Sequence, residues 1–151
     1  MNINKINEIL EQHELWLRTG GAEGYQANLN GVNLEGVDLR GVNLDSANLT
    51  GTNLSWARMA DASLKGVNLY GSNLTCAYLD GANLTGTTLD GANLTWARMY
   101  RANLDGANLN GTIGDMEHVK SVFCEIYPVT YTAEVMQIGC ENHSLEDWWS
   151  F

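Results

Sequence analysis

From residue 29 to residue 109, every fifth residue is leucine or methionine: seventeen in succession, fifteen of them Leu, the others Met59 and Met99. A period of five fits neither regular element. On an α-helix each step of five turns ~140° relative to the last, which would spread these side chains around the cylinder. On a flat strand side chains alternate, so successive leucines would point to opposite faces. One inward leucine per five residues needs a chain that turns a corner in every unit. The flanking residues agree. Ala, Val, Thr or Ser stands two before each leucine position, Asn or Asp stands one before in twelve of the seventeen, and Gly stands two after in eleven. The unit reads A-N-L-x-G, and glycine near its end suits a corner because it accepts positive φ. Stacked turns of a closed coil then line the leucines up inside. No single turn could bury them alone, so a stack is required.

Ala47-Asn48-Leu49-Thr50-Gly51, Ala82-Asn83-Leu84-Thr85-Gly86 and Ala107-Asn108-Leu109-Asn110-Gly111 resemble the pentapeptide-repeat family, and the resemblance covers residues 27–111. It implies an all-β solenoid, a right-handed quadrilateral β-helix with four units per coil of about 20 residues. The small and leucine positions would point inward and the other three outward. Seventeen units make about four coils, a rod only ~20 Å long at ~4.8 Å per layer. Two internal observations suit a coil of that length. Trp56-Ala57-Arg58-Met59 recurs as Trp96-Ala97-Arg98-Met99, and Gly31, Gly51, Gly71, Gly91 and Gly111 form an unbroken series. The Asn33, Asn53, Asn73 and Asn93 series reads as a side-chain ladder that satisfies turn backbone. The Asn-Leu-Thr triplets such as Asn48-Leu49-Thr50 are formal glycosylation sequons, but they follow from the repeat unit.

A stacked coil has open ends that must be covered. Residues 1–26 read as an N-terminal cap, residues 27–111 as the β-helix and residues 112–151 as a C-terminal cap, together one folded unit. Ile3, Ile6, Leu10, His13 and Leu17, with Ile9 and Trp16, trace a helical stripe over residues 3–19, and Gly20-Gly21 ends it. Glu14 and Arg18 are spaced for an i,i+4 pair, and His13 reads as a packed core residue. Downstream, Val122, Cys124 and Ile126 alternate as a strand that Pro128 breaks, and residues 133–138 read as a second strand. The two would form a hairpin within residues 119–139. Ser144-Leu145-Glu146-Asp147 has the form of a capping box that opens a short final helix. Its Trp148, Trp149 and Phe151 need a surface: the last coil, the hairpin, or a twin subunit, since some pentapeptide-repeat proteins dimerise through C-terminal elements. The tail is also similar to those of some bacterial and phage members of unassigned role.

The chain has 18 acidic residues against 8 Lys and Arg, a net charge of −10. That balance disfavours direct binding to nucleic acid or an anionic membrane. No apolar run approaches the ~18 residues of a membrane span. Lys5, Glu8, Glu11 and Glu14 stand where a signal peptide would be apolar, and the three cysteines are an odd number, so a cytoplasmic protein with reduced thiols is expected. No nucleophile–base arrangement, phosphate loop or dinucleotide motif is present, so no enzyme and no cofactor are expected. Cys124, Cys140, His118 and His143 could supply zinc ligands, but the CxxC spacing that makes such a signal strong is missing.

The resemblance also implies a candidate activity. Quinolone-resistance proteins of the family protect DNA gyrase by mimicking duplex DNA. Residues 27–111 carry seven acids and five bases, whereas residues 112–151 carry seven acids and only Lys120. A ~20 Å length of DNA bears roughly a dozen charges, so the rod imitates it poorly. A different feature stands out. With four units per coil, one face gathers Trp56, Arg58, Tyr78, Trp96, Arg98, Tyr100 and Arg101, with Arg40, Cys76, Asp38, Asp61 and Asp80 beside them. Aromatics and arginine are enriched at binding hot spots. The plain structural reading lays the Trp rings on their own wall, with Arg58 and Arg98 stacking on Tyr78 or pairing with Asp38 and Asp80. The expected function is therefore non-enzymatic: a rigid β-helix face and an acidic, aromatic tail offered to a protein partner. DNA-mimicking control of gyrase or another DNA-binding enzyme is the alternative, and a homodimer through the tail is a further expectation.

Overall fold

The computed structural model describes residues 3–114 and two strands, β1 (Val129–Thr132) and β2 (Val135–Ile138). Backbone pairing ties each coil of the repeat to the next in parallel, always with a step of 20 residues. Four ladders result, one per wall. The first runs through residues 28, 48, 68, 88 and 108, and the second through 33, 53, 73, 93 and 113. The third runs through 38, 58, 78 and 98, and the fourth through 43, 63, 83 and 103. On the second wall the Leu34 amide donates to the Asn53 carbonyl at 2.7 Å, and the Asn53 amide returns to the Val32 carbonyl at 3.0 Å. Within each unit the leucine carbonyl accepts the amide three residues on, as from Val37 to Leu34 at 3.1 Å. That bond closes the corner that the five-residue period demands.

The leucine and methionine positions fill the interior, and none is more than 5% exposed. Leu34, Leu54 and Leu74 lie on one wall, all fully buried. The small position two residues before each leucine is also inward. At two of the hydroxyl-bearing positions backbone satisfies the group, Thr52 Oγ1 donating to Leu29 O at 2.9 Å and Thr87 Oγ1 to Leu64 O at 2.8 Å, whereas the equally buried Ser72 hydroxyl makes no hydrogen bond to protein. The two threonine bonds answer the cost of burying a polar group. Outside, the asparagine ladder forms as its spacing suggests. Asn53 Nδ2 donates to Asn33 Oδ1 and Asn73 Nδ2 to Asn53 Oδ1, at 3.0 and 3.1 Å. Each Oδ1 also accepts the amide two residues on, as Glu35 N donates to Asn33 at 3.1 Å.

Helix α1 spans Ile3–Arg18. Ile6 and Ile9 join the same apolar cluster as Ala27 and Leu29. His13 is fully buried; its Nδ1 accepts the Ala27 amide at 3.1 Å, and its ring stacks on Trp16 with centroids 5.7 Å apart. The helix thus meets the start of the repeat through apolar packing and one hydrogen bond. Gly24 lets the chain return across it, since a Cβ there would come within 2.2 Å of the Gln12 carbonyl. Glu14 and Arg18 do not form the ion pair that their spacing suggests: the salt bridges among the described residues are Arg40–Asp38 and Arg98–Asp80.

The downstream hairpin differs from the sequence expectation. Strand β2 falls inside the expected 133–138, but its antiparallel partner is β1, with Val129 opposite Ile138 and Thr132 opposite Val135. The expected partner carrying Val122, Cys124 and Ile126 lies outside the described residues. Pro128, where the sequence suggests a break, lies outside the described residues as well.

Candidate functional site

All seventeen units end at positive φ, as a square coil requires, but only eleven of those corner residues are glycine. The other six are Ser46, Trp56, Asp61, Cys76, Trp96 and Arg101, with φ between 57° and 65°. Left-handed backbone costs an L-residue ~1–2 kcal/mol, and a bulky one least often bears it. Five of the six flank the third wall. Trp56, Cys76 and Trp96 occupy the corner leading into it, and Asp61 and Arg101 the corner leading out. The repeat offers glycine at these positions, so the fold itself does not ask for these side chains. The signal was present in the sequence as gaps in the glycine series, although sequence reasoning singled the residues out only by their chemistry.

The structure brings the predicted residues together on this wall. Arg58, Tyr78 and Arg98 succeed one another up the third ladder. Trp56, Trp96 and Tyr100 are 53%, 47% and 47% exposed, so about half of each ring is offered to solvent. The plain structural reading holds for part of the set. Arg98 stacks over Tyr78 at 5.5 Å and pairs with Asp80 at 2.7 Å. Arg40 holds Asp38 through two hydrogen bonds, from Nε and Nη2. Those bonds, with further help from the nearby Arg58 charge, hold the Asp38 carboxyl down to about 2. Arg101 lies over the Tyr100 ring at 5.0 Å. Among the described residues, neither Arg58 nor Arg101 makes a salt bridge.

The charge pattern is as uneven as the backbone. The third wall and its outgoing corner carry Arg40, Arg58, Arg98 and Arg101 against Asp38, Asp61 and Asp80. The rest of the rod carries Glu35, Asp45, Asp90 and Asp105 against Lys65 alone. A mildly basic, aromatic wall therefore stands on a chain of net charge −10. Tyr70 on the first wall and Tyr25 before the repeat are exposed too, but each stands apart from any arginine cluster. Cys76 is a half-buried free thiol between the two tryptophan corners. No group of metal-ligating side chains is found among the described residues, and no helix among them is long and apolar enough to cross a membrane. Trp148, Trp149 and Phe151, and the four residues Cys124, Cys140, His118 and His143, lie outside the described residues.

The pentapeptide-repeat family matches residues 27–66, 38–75 and 77–113 as eight copies of its repeat. The chain belongs to the pentapeptide-repeat family. Its members fold as right-handed quadrilateral β-helices and are generally structural or interaction proteins. Among solved pentapeptide-repeat structures, Rfr23 from the cyanobacterium Cyanothece 51142 is 42% identical over 60% of this chain and 58% of its own, with a TM-score of 0.46. A thylakoid-lumen protein of Arabidopsis thaliana is 31% identical over 56% of this chain and 55% of its own, with a TM-score of 0.44. QnrB1, a plasmid-mediated fluoroquinolone resistance protein, is 19% identical over 60% of this chain and 57% of its own, with a TM-score of 0.31. The chain thus spans less than two thirds of the length of each. No curated protein matches its sequence.

Proposed function

We propose that this pentapeptide-repeat protein is a non-enzymatic interaction module and that its third wall is the docking face for a protein partner. The observation that carries the reading is the backbone at Trp56, Trp96 and Arg101. Each holds positive φ at a corner where the repeat supplies glycine elsewhere. Strain that a fold does not require marks a site kept for another purpose. Trp, Tyr and Arg are also the residue types that dominate binding energy at protein interfaces. Trp56, Arg58, Tyr78, Trp96, Arg98, Tyr100 and Arg101 form the proposed contact set. The partner would be met in the cytoplasm, and an acidic tail carrying Trp148, Trp149 and Phe151 would supply a second contact or a homodimer contact.

Capture on the immobilised protein, followed by mass spectrometry, tests the reading. A partner retained by the wild-type chain and lost with Arg58→Ala/Arg98→Ala supports it. Retention of every captured protein by the double variant removes the third wall from the function.

Mimicry of DNA toward gyrase is the second reading, favoured by the overall charge of −10. Within the rod the acids form no continuous column, and most of the excess lies in residues 112–151, so this reading must act through the tail and end surfaces. A supercoiling assay in which the protein leaves gyrase unaffected would remove that target.

A further inference from the structure

From the third wall we infer the chemistry of its partner: a short, extended acidic segment laid along the rod axis, with carboxylates three residues apart. The inference rests on the docking face proposed above and names what that face reads. Four of the five bases of residues 27–111 stand on this one wall and its corner. Arg40 is occupied by Asp38, whereas Arg58 and Arg101 make no salt bridge among the described residues, the Arg58 charge acting on Asp38 only from a distance beyond that of a direct pair. Arg98 gives one nitrogen to Asp80, and its side chain remains 61% exposed, so other donors of its fork still face solvent. A carboxylate is what an exposed guanidinium fork binds best. The neighbouring indoles and phenols offer apolar surface to the backbone and stems of such a segment.

The length of the segment follows from charge. A long polyanion would be repelled by a chain of net charge −10. A short motif feels chiefly the arginines within a Debye length of ~8 Å. The spacing follows from the repeat. Trp56-Ala57-Arg58-Met59 and Trp96-Ala97-Arg98-Met99 are 40 residues apart, two coils on the same ladder. Two coil rises are ~9.6 Å. In a polyproline II chain, residues i and i+3 lie on one edge and ~9.3 Å apart. Such a chain running along the rod presents one carboxylate to Arg58 and the next to Arg98, with a residue between them crossing Tyr78. An ordinary strand does not match, because its i and i+3 side chains point to opposite faces.

The test uses the full chain and defined peptides. A peptide of about twelve residues repeating Glu-Pro-Pro is preorganised in polyproline II with carboxylates on one edge. A Lys-Pro-Pro peptide reverses the charge, and a Glu-Pro repeat with the same number of carboxylates keeps the charge but spirals it around the chain. By fluorescence anisotropy, the Glu-Pro-Pro peptide is expected to bind about tenfold tighter than the Glu-Pro peptide, and the Lys-Pro-Pro peptide not at all. Binding should weaken at least about tenfold with Arg58→Ala and when salt rises from about 0.05 to about 0.5 M. No binding by the Glu-Pro-Pro peptide, equal binding by the Lys-Pro-Pro peptide, or no effect of Arg58→Ala overturns the inference. If a partner is captured through the third wall but the Glu-Pro-Pro peptide fails to displace it, the docking face stands and the acidic segment is wrong. If capture ignores third-wall substitutions, the docking face itself falls.

Discussion

Trp56 meets two opposing demands. Its backbone sits at a φ of 61°, and its ring is 53% exposed, so about half of it packs on the wall. Burying half of a tryptophan side chain, ~100 Å², contributes up to ~2.5 kcal/mol. The left-handed backbone takes back ~1–2 kcal/mol. The two can be separated. Trp56→Ala loses the packing and keeps the strain, whereas Trp56→Gly loses the packing and relieves the strain. Glycine is usually the poorer substitute because of its chain entropy. Here the order should reverse, with Trp56→Gly more stable than Trp56→Ala by about 1 kcal/mol in urea unfolding. An alanine variant as stable as the glycine variant would show that the corner stores no strain. Gly81 gives a related case one wall further on. Its φ is 71°, and a Cβ there would lie 2.4 Å from Asp61 Oδ1. Gly81→Ala should therefore cost about 1–3 kcal/mol, and adding Asp61→Gly should recover the steric part but not the backbone part. Full additivity of the two substitutions would mean that the carboxylate swings clear at no cost.

Helix α1 is held to the rod by a hydrogen bond that depends on protonation. His13 Nδ1 can accept the Ala27 amide only while it carries no proton. Burial is the main cause that lowers the His13 pKa below 6.5, opposed by the Leu44 backbone and the Asp45 charge. Just below 6.5 the unfolded chain binds the proton that the folded protein refuses. The contribution of His13 to stability is thus complete above 6.5 and is lost as pH falls through that region. The urea midpoint should drop between pH 7.5 and 5.5, and His13→Asn, which keeps an acceptor but cannot titrate, should flatten the drop. An undiminished pH dependence in that variant would place its cause elsewhere. The same helix shows what the sequence could disclose. Its apolar stripe and the Gly20-Gly21 stop locate it to within a residue, because burial on one face leaves a period that can be counted. The leucine axis is clearer still, since the same demand is written seventeen times. Strand β1 is not legible in the sequence because a four-residue strand, Val-Thr-Tyr-Thr, carries no repeated demand. The aromatic and arginine-rich third wall is legible only once the coil length is known. Trp56 and Arg98 are far apart along the chain, and a 20-residue step alone sets them on one surface. The six left-handed side chains were harder to read, since a missing glycine does not say whether the backbone there relaxes or stays strained.

For the whole molecule, the wall exists because the coil is 20 residues long, so its function should follow coil arithmetic and not local sequence. Two internal deletions separate these ideas. Removing residues 62–81 takes out one whole coil, so Asp61 joins Ala82 and each later unit keeps its wall. Removing residues 62–71 takes out half a coil, joins Asp61 to Ser72 and moves every later unit to the opposite wall. Both keep the leucine period of five, and both should fold cooperatively, because a solenoid is approximately a sum of units and neighbour interfaces. The loss in stability should be about 1–3 kcal/mol for the longer deletion, from the usual ~0.05–0.15 kcal/mol per residue, and less for the shorter. Binding should not follow that order. The half-coil deletion sets Trp96 and Arg98 opposite Trp56 and Arg58, and it should abolish binding of the Glu-Pro-Pro peptide although it removes fewer residues. The whole-coil deletion leaves all four on one wall but at one coil rise, ~4.8 Å, in place of two. It should retain binding weakened about tenfold and lose the preference for three-residue over two-residue carboxylate spacing. Circular dichroism melts establish folding and anisotropy reads the binding. A folded half-coil deletion that binds as the wild type does would show that the tryptophans and arginines act locally, with no need of a shared wall.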